Sequence, residues 1–500
     1  MTGLERETDV HTLREAVRLL SLENKRLLKL NLELKHALAA AKGEKAKQLE
    51  MEIAELERQL AVRNKALFGD SSERRPASTN GASHDKEKSP AKGHGPRQQA
   101  LPIVERVHEL DEADRTCPSC GGELCEWEGQ FEESTEIDMI ERRFVEVNHK
   151  RKKYRCSCGG CVETAPGPLK LMAGGRYSID VAANIAVSKY HDHLPLERLV
   201  RIYARQGLVI DSQTLWDQLQ TMARLLSPVH DMLQASVLSQ PVIGADETHW
   251  KLLGHKTSGS KTKRWQVWAV TSDKAVCYRI KEGRSLQDAA DVLGAYRGIV
   301  MCDGYAVYQS LHKQHQALLI ANCWAHVRRK FVEVEELEPG RCAEVLDLIA
   351  KLFAVEARAR EYNLSPQALL ELRQTESKAL VDAISAWALS QRVLPSSALG
   401  KAIAYMGNLW KGLTVFLEHA AVPVHNNGTE RALRGVVLGR RNHYGSRSKR
   451  GTEVAALFYS IVETCKLVGV DPQDYLTAAT HAALNGEPAM LPSDYAKQRV

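Results

Sequence analysis

Two apolar runs that each close on an aspartate constrain this chain most. "PVIGADETHW" carries Asp246 near its end, and "GIVMCDGY" carries Asp303. Short apolar stretches bounded by turn residues read as buried strands. Side chains alternate along a strand, so Asp246 and Glu247 must point to opposite faces and only one can serve a given site. "RWQVWAVT" and "AVCYRIK" lie between the two runs and read as further strands. A helix is expected near Ser285 to Leu293, and "ALLIANCWAHVRRKF" reads as a fifth strand running into a helix. Three strands, a helix and two more strands alternating with helices predict a mixed α/β sheet with parallel members. Acids at the carboxyl ends of such strands line a crevice. Strand-end aspartates also serve as turn formers and helix caps, so two acids alone leave both readings open.

A third acid stands in unusual company. The segment "HNNGTERALRGVVLGRRNHYGSRSKRG", His425 to Gly451, holds seven Arg or Lys and one carboxylate, Glu430. Pairing with a neighbouring arginine is the ordinary role for such a residue. The alternative is chemical. Phosphodiester cleavage at neutral pH uses two divalent cations about 3.5–4 Å apart, one at the nucleophile and one at the leaving oxygen. Hard ions such as Mg²⁺ take oxygen ligands, so two or three carboxylates from different elements suffice.

Upstream, the cysteines are spaced like metal ligands. "CPSCGG" places Cys117 and Cys120, and "CSCGGC" places Cys156, Cys158 and Cys161. Two thiol knuckles with tight glycine turns are the pattern of a zinc ribbon. Cys158 with Cys161 repeats the spacing of the first knuckle and is the favoured second pair, with Cys156 as substitute. Cys125 has the wrong spacing to join, and Cys277, Cys302, Cys342 and Cys465 read as small buried hydrophobes. "HKRKKYR" runs into the second knuckle, and its Lys150, Arg151, Lys152 and Lys153 lean this region towards nucleic acid.

Five hundred residues predict several domains. Leu13, Leu20, Leu27 and Leu34 repeat every seven residues, with Asn24 and Asn31 in the other seam position, so residues 1–68 are expected to form a leucine-zipper-like coiled coil that joins copies of the chain. Residues 69–100 are Ser, Gly, Pro and charge, which predicts a disordered linker. The ribbon spans 101–170. In 171–235, "LERLVRIYARQGLVIDSQTLWDQL" reads as helix, Gly207 turn and a second helix capped by Asp211, the layout of a helix-turn-helix and equally of a plain helical pair. Charges begin at Glu5 without a signal-peptide core, and no apolar run reaches the ~20 residues needed to cross a bilayer, so a cytoplasmic, nucleoid-associated protein without a membrane partner is expected.

"ADET", "CDGY", "CWAHVRRKF", "NNGTERALR" and "GSRSKRGTEVAALFYSIVETCKLVGVDPQDYL" resemble the transposases of the insertion sequence 66 family, as does "KALFGDSSER" after the zipper. The resemblance implies a multidomain α+β chain whose residues 236–450 form a ribonuclease-H-like α/β catalytic core of the DDE type. An all-helical insertion falls at about 340–420, and 451–500 is a C-terminal helical segment. Motif by motif, the acids fall on Asp246, Asp303 and Glu430, which would hold Mg²⁺ or Mn²⁺. Arg431, Arg434, Arg440, Arg441, Arg447, Lys449 and Arg450 would grip phosphates around the scissile bond. The implied activity is strand cleavage and strand transfer at terminal inverted repeats, with element ends and target DNA as partners and helper proteins encoded nearby as further candidates. Two rivals are a catalytically inactive DNA-binding regulator and a ribonuclease-H-type nuclease without strand transfer. The family pattern has Asp where this chain has His425, and Cys323 with His326 read as structural supports of the fifth strand.

Overall fold

The computed structural model describes residues 144–155, 162–253 and 265–498, together with helical positions 26, 29, 30, 33, 34, 52–54 and 56. The linker, all the ribbon cysteines and nearly all of the heptad seam lie outside the described residues. Contacts divide the chain into two units: Met1–Gly69 with Arg143–Val500, and Asp70–Arg142, of which the second lies outside them.

The basic run enters a two-stranded antiparallel ladder, β1 (Lys153–Arg155) with β2 (Val162–Thr164). Four helices follow: α1 (Ile179–Tyr190), α2 (Leu196–Arg205), α3 (Ser212–Leu225) and α4 (Ser227–Leu238). Between α2 and α3 the chain turns at Gly207, whose φ of +90° suits a residue without Cβ. Asp211 then caps α3, its carboxylate accepting the Thr214 N–H at 2.6 Å. Two helices with the Gly207 turn between them and the Asp211 cap are present, a geometry common to both readings of this segment.

The sheet is built from β3 (Val242–Trp250), β4 (Trp265–Thr271), β5 (Val276–Lys281), β6 (Ile299–Cys302) and β7 (Leu319–Asn322), in the order β5-β4-β3-β6-β7. The first three are antiparallel neighbours, whereas β6 and β7 join β3 in parallel. Parallel pairing needs crossovers, supplied here by α5 (Leu286–Leu293) and α6 (Ala306–Gln314). After β7 come α7 (Trp324–Val332) and four further helices, α8 (Pro339–Glu361), α9 (Pro366–Leu372), α10 (Lys378–Ser390) and α11 (Ala398–Thr414). The chain then returns to the sheet through α12 (Asn427–His443), α13 (Lys449–Leu467), α14 (Pro472–Leu484) and α15 (Pro492–Gln498).

Two apolar cores hold this together. One joins α1, α3, α4, α13 and α14 to β3–β5, so the helices of 171–235 are built into the same core as the sheet. The other packs α7, α8, α10 and α11 around Ile299, Met301 and Ala321 of β6 and β7. The edge strand β5 is closed by α13: Thr464 Oγ1 accepts the Val276 N–H at 3.0 Å, and Ser460 Oγ accepts the Tyr278 N–H at 2.8 Å. These hydroxyls remove the free donors that invite edge-to-edge pairing. Among the described residues no helix is long and apolar enough to cross a membrane.

A buried ion pair ties the α8–α11 helices to the chain leading to α12. Arg373 grips Glu356 with two hydrogen bonds of 2.7 and 2.8 Å, and its Nη1 donates to the carbonyls of Phe416, His419 and Ala420. Their side chains are only 2% and 9% exposed. Removing one partner leaves an uncompensated buried charge, so Arg373→Met should lower unfolding free energy by about 3–5 kcal/mol in denaturant titration.

Candidate active site

The position of α12 follows from a missing side chain. Gly244 lies in the middle of the sheet, and a Cβ built on it would come within 2.1 Å of Thr429 Oγ1 and 2.6 Å of Thr271 Oγ1. Only glycine lets the first turn of α12 approach β3 this closely. The Thr429 and Thr271 hydroxyls hydrogen-bond at 2.7 Å, and Asn426 Nδ2 donates to the Ala245 carbonyl at 3.0 Å. At the far end of α12, Arg440 donates to Thr248 Oγ1 at 3.1 Å and to the His249 carbonyl. The helix is thus pinned along β3 at both ends, and Glu430 sits in its first turn.

Gly244 and Asp246 are two residues apart and share a face, so Asp246 lies on the side that α12 covers. In the parallel ladder Gly244 stands opposite Met301. The ladder ends at that pair; Asp246 and Asp303 each follow two residues further along, Asp246 still within β3 and Asp303 in the turn that leaves β6. Asp303 also shapes the chain reversal after β6: its Oδ1 accepts the Tyr305 N–H at 2.9 Å, and its carbonyl accepts from Asn322 Nδ2 at 3.0 Å. Glu247 faces the other way, as alternation requires. Tyr308 Oη donates to its Oε2 at 2.7 Å and Arg284 pairs with its Oε1, so this carboxylate is consumed in a structural pair.

Electrostatics tie the three acids together. Burial pushes the Asp246 carboxyl up to about 7; the Glu247 N–H, donating at 2.7 Å, opposes this, and the charges of Glu247, Asp303 and Glu430 add to it. Burial is the main cause, and the neighbouring carboxylates add to it. A folded value of about 7 against the ordinary 3.8 means that the fold holds a proton which the unfolded chain releases within that window. Without divalent ions, stability should be complete below the window and fall as pH rises through it. Asp246→Asn, neutral throughout, should lack that slope, and thermal melts across the range in Mg²⁺-free buffer check it.

Around Glu430 stand groups that sequence reading assigned elsewhere. His326 Nε2 lies 3.6 Å from its Oε1, and Arg329 Nη2 lies 3.9 Å from its Oε2. Cys323, His326 and Glu430 offer donor atoms all within 4.8 Å of one another. Cys323 and His326 therefore abut the third acid as well as supporting β7; their local C-x-x-H spacing was the available signal. His425 lies against the Phe353 ring of α8, 6.2 Å between centroids.

The basic residues divide. Arg431, Arg434, Arg441, Arg447 and Lys449 are exposed, as are Lys150, Arg151, Lys152 and Lys153. Arg440 is committed to β3, as described, and Arg450 pairs with Glu453 at 3.2 Å while donating to the Gln220 carbonyl. In this structure these two cations are engaged by protein groups. Sequence reading missed a row on α2, where exposed Arg198, Arg201 and Arg205 recur at helical spacing. Tyr444 is 64% exposed at the end of α12, while His443 is packed on Trp250 and Tyr459.

Comparison with known proteins makes the chain a transposase. Residues 174–454 match the model described as Transposase IS66 family, and residues 114–159 match the zinc-finger binding domain of transposase IS66. The chain belongs to the IS66 transposase family. It is 31% identical over 399 residues to the uncharacterized protein y4jD of Sinorhizobium fredii (strain NBRC 101917 / NGR234), covering 75% of this chain and 76% of that one. The uncharacterized protein y4qI of the same strain is 29% identical over 418 residues, covering 80% and 76%. The zinc-finger match spans Cys117, Cys120, Cys156 and Cys158 and ends before Cys161.

Proposed function

We propose that this transposase cuts DNA at the terminal inverted repeats of an insertion sequence and joins the freed ends to target DNA, in a ribonuclease-H-like core whose Asp246, Asp303 and Glu430 hold Mg²⁺ or Mn²⁺. The observation that supports this reading is that Glu430, 127 residues beyond Asp303, lies in the first turn of the helix that packs on Gly244 of the strand carrying Asp246, beside the parallel strand that leads to Asp303. Oxygen-only donors from the middle of β3, the turn after β6 and the start of α12 suit a hard divalent ion; Asp246 stands inside its strand, whereas the sequence pattern placed it near the end. When bound, such ions lower the pKa of a nucleophilic water and neutralise charge on the leaving oxygen.

In the cut, water attacks the scissile phosphorus, the P–O3′ bond breaks, and a 3′-hydroxyl and a 5′-phosphate result. In the joining step that hydroxyl attacks a target phosphodiester, loses its proton and displaces a new 3′-hydroxyl. The protein orients the phosphate. Arg431, Arg434 and Arg441 project from the helix that carries Glu430, and Arg447 and Lys449 continue the basic surface beyond its C-terminal end. The zinc finger would add contacts through Lys150–Lys153, its metal held by Cys117 and Cys120 with two of Cys156, Cys158 and Cys161. Residues 1–68 would pair two chains and so two element ends.

Labelled element-end DNA incubated with the protein and Mg²⁺ should yield nicked and joined products, and absence of both overturns the proposal. The arginine assignment has its own test. Replacing Arg431, Arg434 and Arg441 together by Ala should reduce the slope of log affinity against log salt by about 3, one per phosphate contact. Arg440→Ala should leave the slope unchanged and lower the melting temperature instead.

A further inference from the structure

We propose that Cys323, His326 and Glu430 form a second metal site in this domain, selective for a borderline-soft divalent ion of the zinc class. Cys323 stands at the N-terminal cap of α7, His326 lies in that helix's first turn, and Glu430 lies in the first turn of α12, so two helix starts converge on one point. Their donor atoms lie within 4.8 Å of one another, with His326 Nε2 and Glu430 Oε1 at 3.6 Å. Ligands arranged tetrahedrally around zinc sit about 3.3–3.8 Å apart, so one edge is already in place and small side-chain rotations close the others.

The partners leave room for a cation. Glu430 Oε1 is buried without a hydrogen-bond donor, and so is His326 Nδ1. The Arg329 guanidinium faces the other carboxylate oxygen, Oε2, at 3.9 Å. Burial raises the Cys323 thiol above its ordinary range; the Asn426 N–H, donating to Sγ at 3.2 Å, works against this, and metal binding would displace the proton. Sulfur and nitrogen donors discriminate against Mg²⁺, whereas zinc takes Cys, His and carboxylate alike with a water completing the set. The regulatory consequence rests on the function proposed above, although the site itself does not: zinc bound here draws Glu430 away from Asp246 and Asp303, so it should inhibit Mg²⁺-dependent cleavage.

Equilibrium dialysis of the full chain against Zn²⁺, with metal content read by atomic emission, tests the site directly. The wild-type chain should take up one equivalent beyond the zinc finger. Cys323→Ser and His326→Gln should each weaken that equivalent by at least about 10–100-fold while leaving the first in place. His326 is partly exposed, so its variant guards against misfolding of the buried cysteine change. With Co²⁺ the extra equivalent should add a sulfur-to-metal absorption band that Cys323→Ser lacks. Zn²⁺ should inhibit cleavage by the wild type at the concentration that fills this equivalent, and Cys323→Ser should keep its Mg²⁺ activity there. Equal zinc uptake by the wild type and both folded variants overturns the proposal. An extra equivalent lost in the variants, in a protein that cleaves no DNA, supports the site and defeats the transposition reading instead.

Discussion

Glu430→Gln should leave DNA binding and the fold intact while Mg²⁺-dependent end cleavage falls on the order of 10³-fold, because loss of one charged ligand removes several kcal/mol of transition-state stabilisation. The fold should survive. The Glu430 side chain is 26% exposed, and its ionic contacts, at 3.6 and 3.9 Å, are too long for good hydrogen bonds. Glutamine keeps the shape and hydrogen-bonding oxygen but not the charge, so the comparison isolates electrostatics. Glu430→Asp tests placement: it keeps the charge but draws the carboxylate back by about 1 Å, a displacement worth about 10²-fold in rate. Asp303→Asn should match Glu430→Gln in activity, since an amide oxygen can still accept the Tyr305 N–H and preserve the turn after β6. Initial rates on labelled element ends, at saturating Mg²⁺ and with binding measured alongside, provide the check. A Glu430→Gln enzyme as fast as the wild type would move the chemistry to other residues.

What could be read from the sequence was what local pattern encodes. The apolar run that ends at Trp250 is β3, and alternation along it separated Asp246 from Glu247 as the Arg284 and Tyr308 contacts bear out. Asp211 was legible as a cap because capping chemistry spans three residues. Cys277, Cys302, Cys342 and Cys465 are buried, as small apolar surroundings suggested. The rest depends on packing between distant elements. Nothing near Arg440 in the chain hints that Thr248 and His249 will claim it, nor does the neighbourhood of Arg450 mention Gln220. Cys323 and Glu430 meet only because α7 and α12 start at the same place, a convergence that no periodicity records. The zipper and ribbon are equally local motifs; the ribbon has its match in the zinc-finger domain, and the structure of both lies outside the described residues.

Gly244→Ala should cost about 10²-fold in cleavage rate although the residue carries no functional group. The added methyl would stand 2.1 Å from Thr429 Oγ1 and 2.6 Å from Thr271 Oγ1, well inside contact distance. Those two hydroxyls hold each other at 2.7 Å, so neither can turn aside without breaking a buried hydrogen bond. The cheaper response is for the first turn of α12 to lift from β3. Thr429 immediately precedes Glu430, so a lift of about 1 Å there moves the carboxylate by a similar amount, and misplacement on that scale carries the rate penalty. Overpacking should also lower stability by about 1–3 kcal/mol, measurable by denaturant unfolding. A second substitution separates position from stability. Thr429→Ala alone removes one hydrogen bond, at about 1 kcal/mol, and should change the rate little. Combined with Gly244→Ala it removes the nearer clash, so the double variant should cleave faster than Gly244→Ala alone despite the lost hydrogen bond. If the second change restores no activity, the distance between α12 and β3 does not set the position of Glu430, and the acid must be held from the α7 side, by His326 and Arg329.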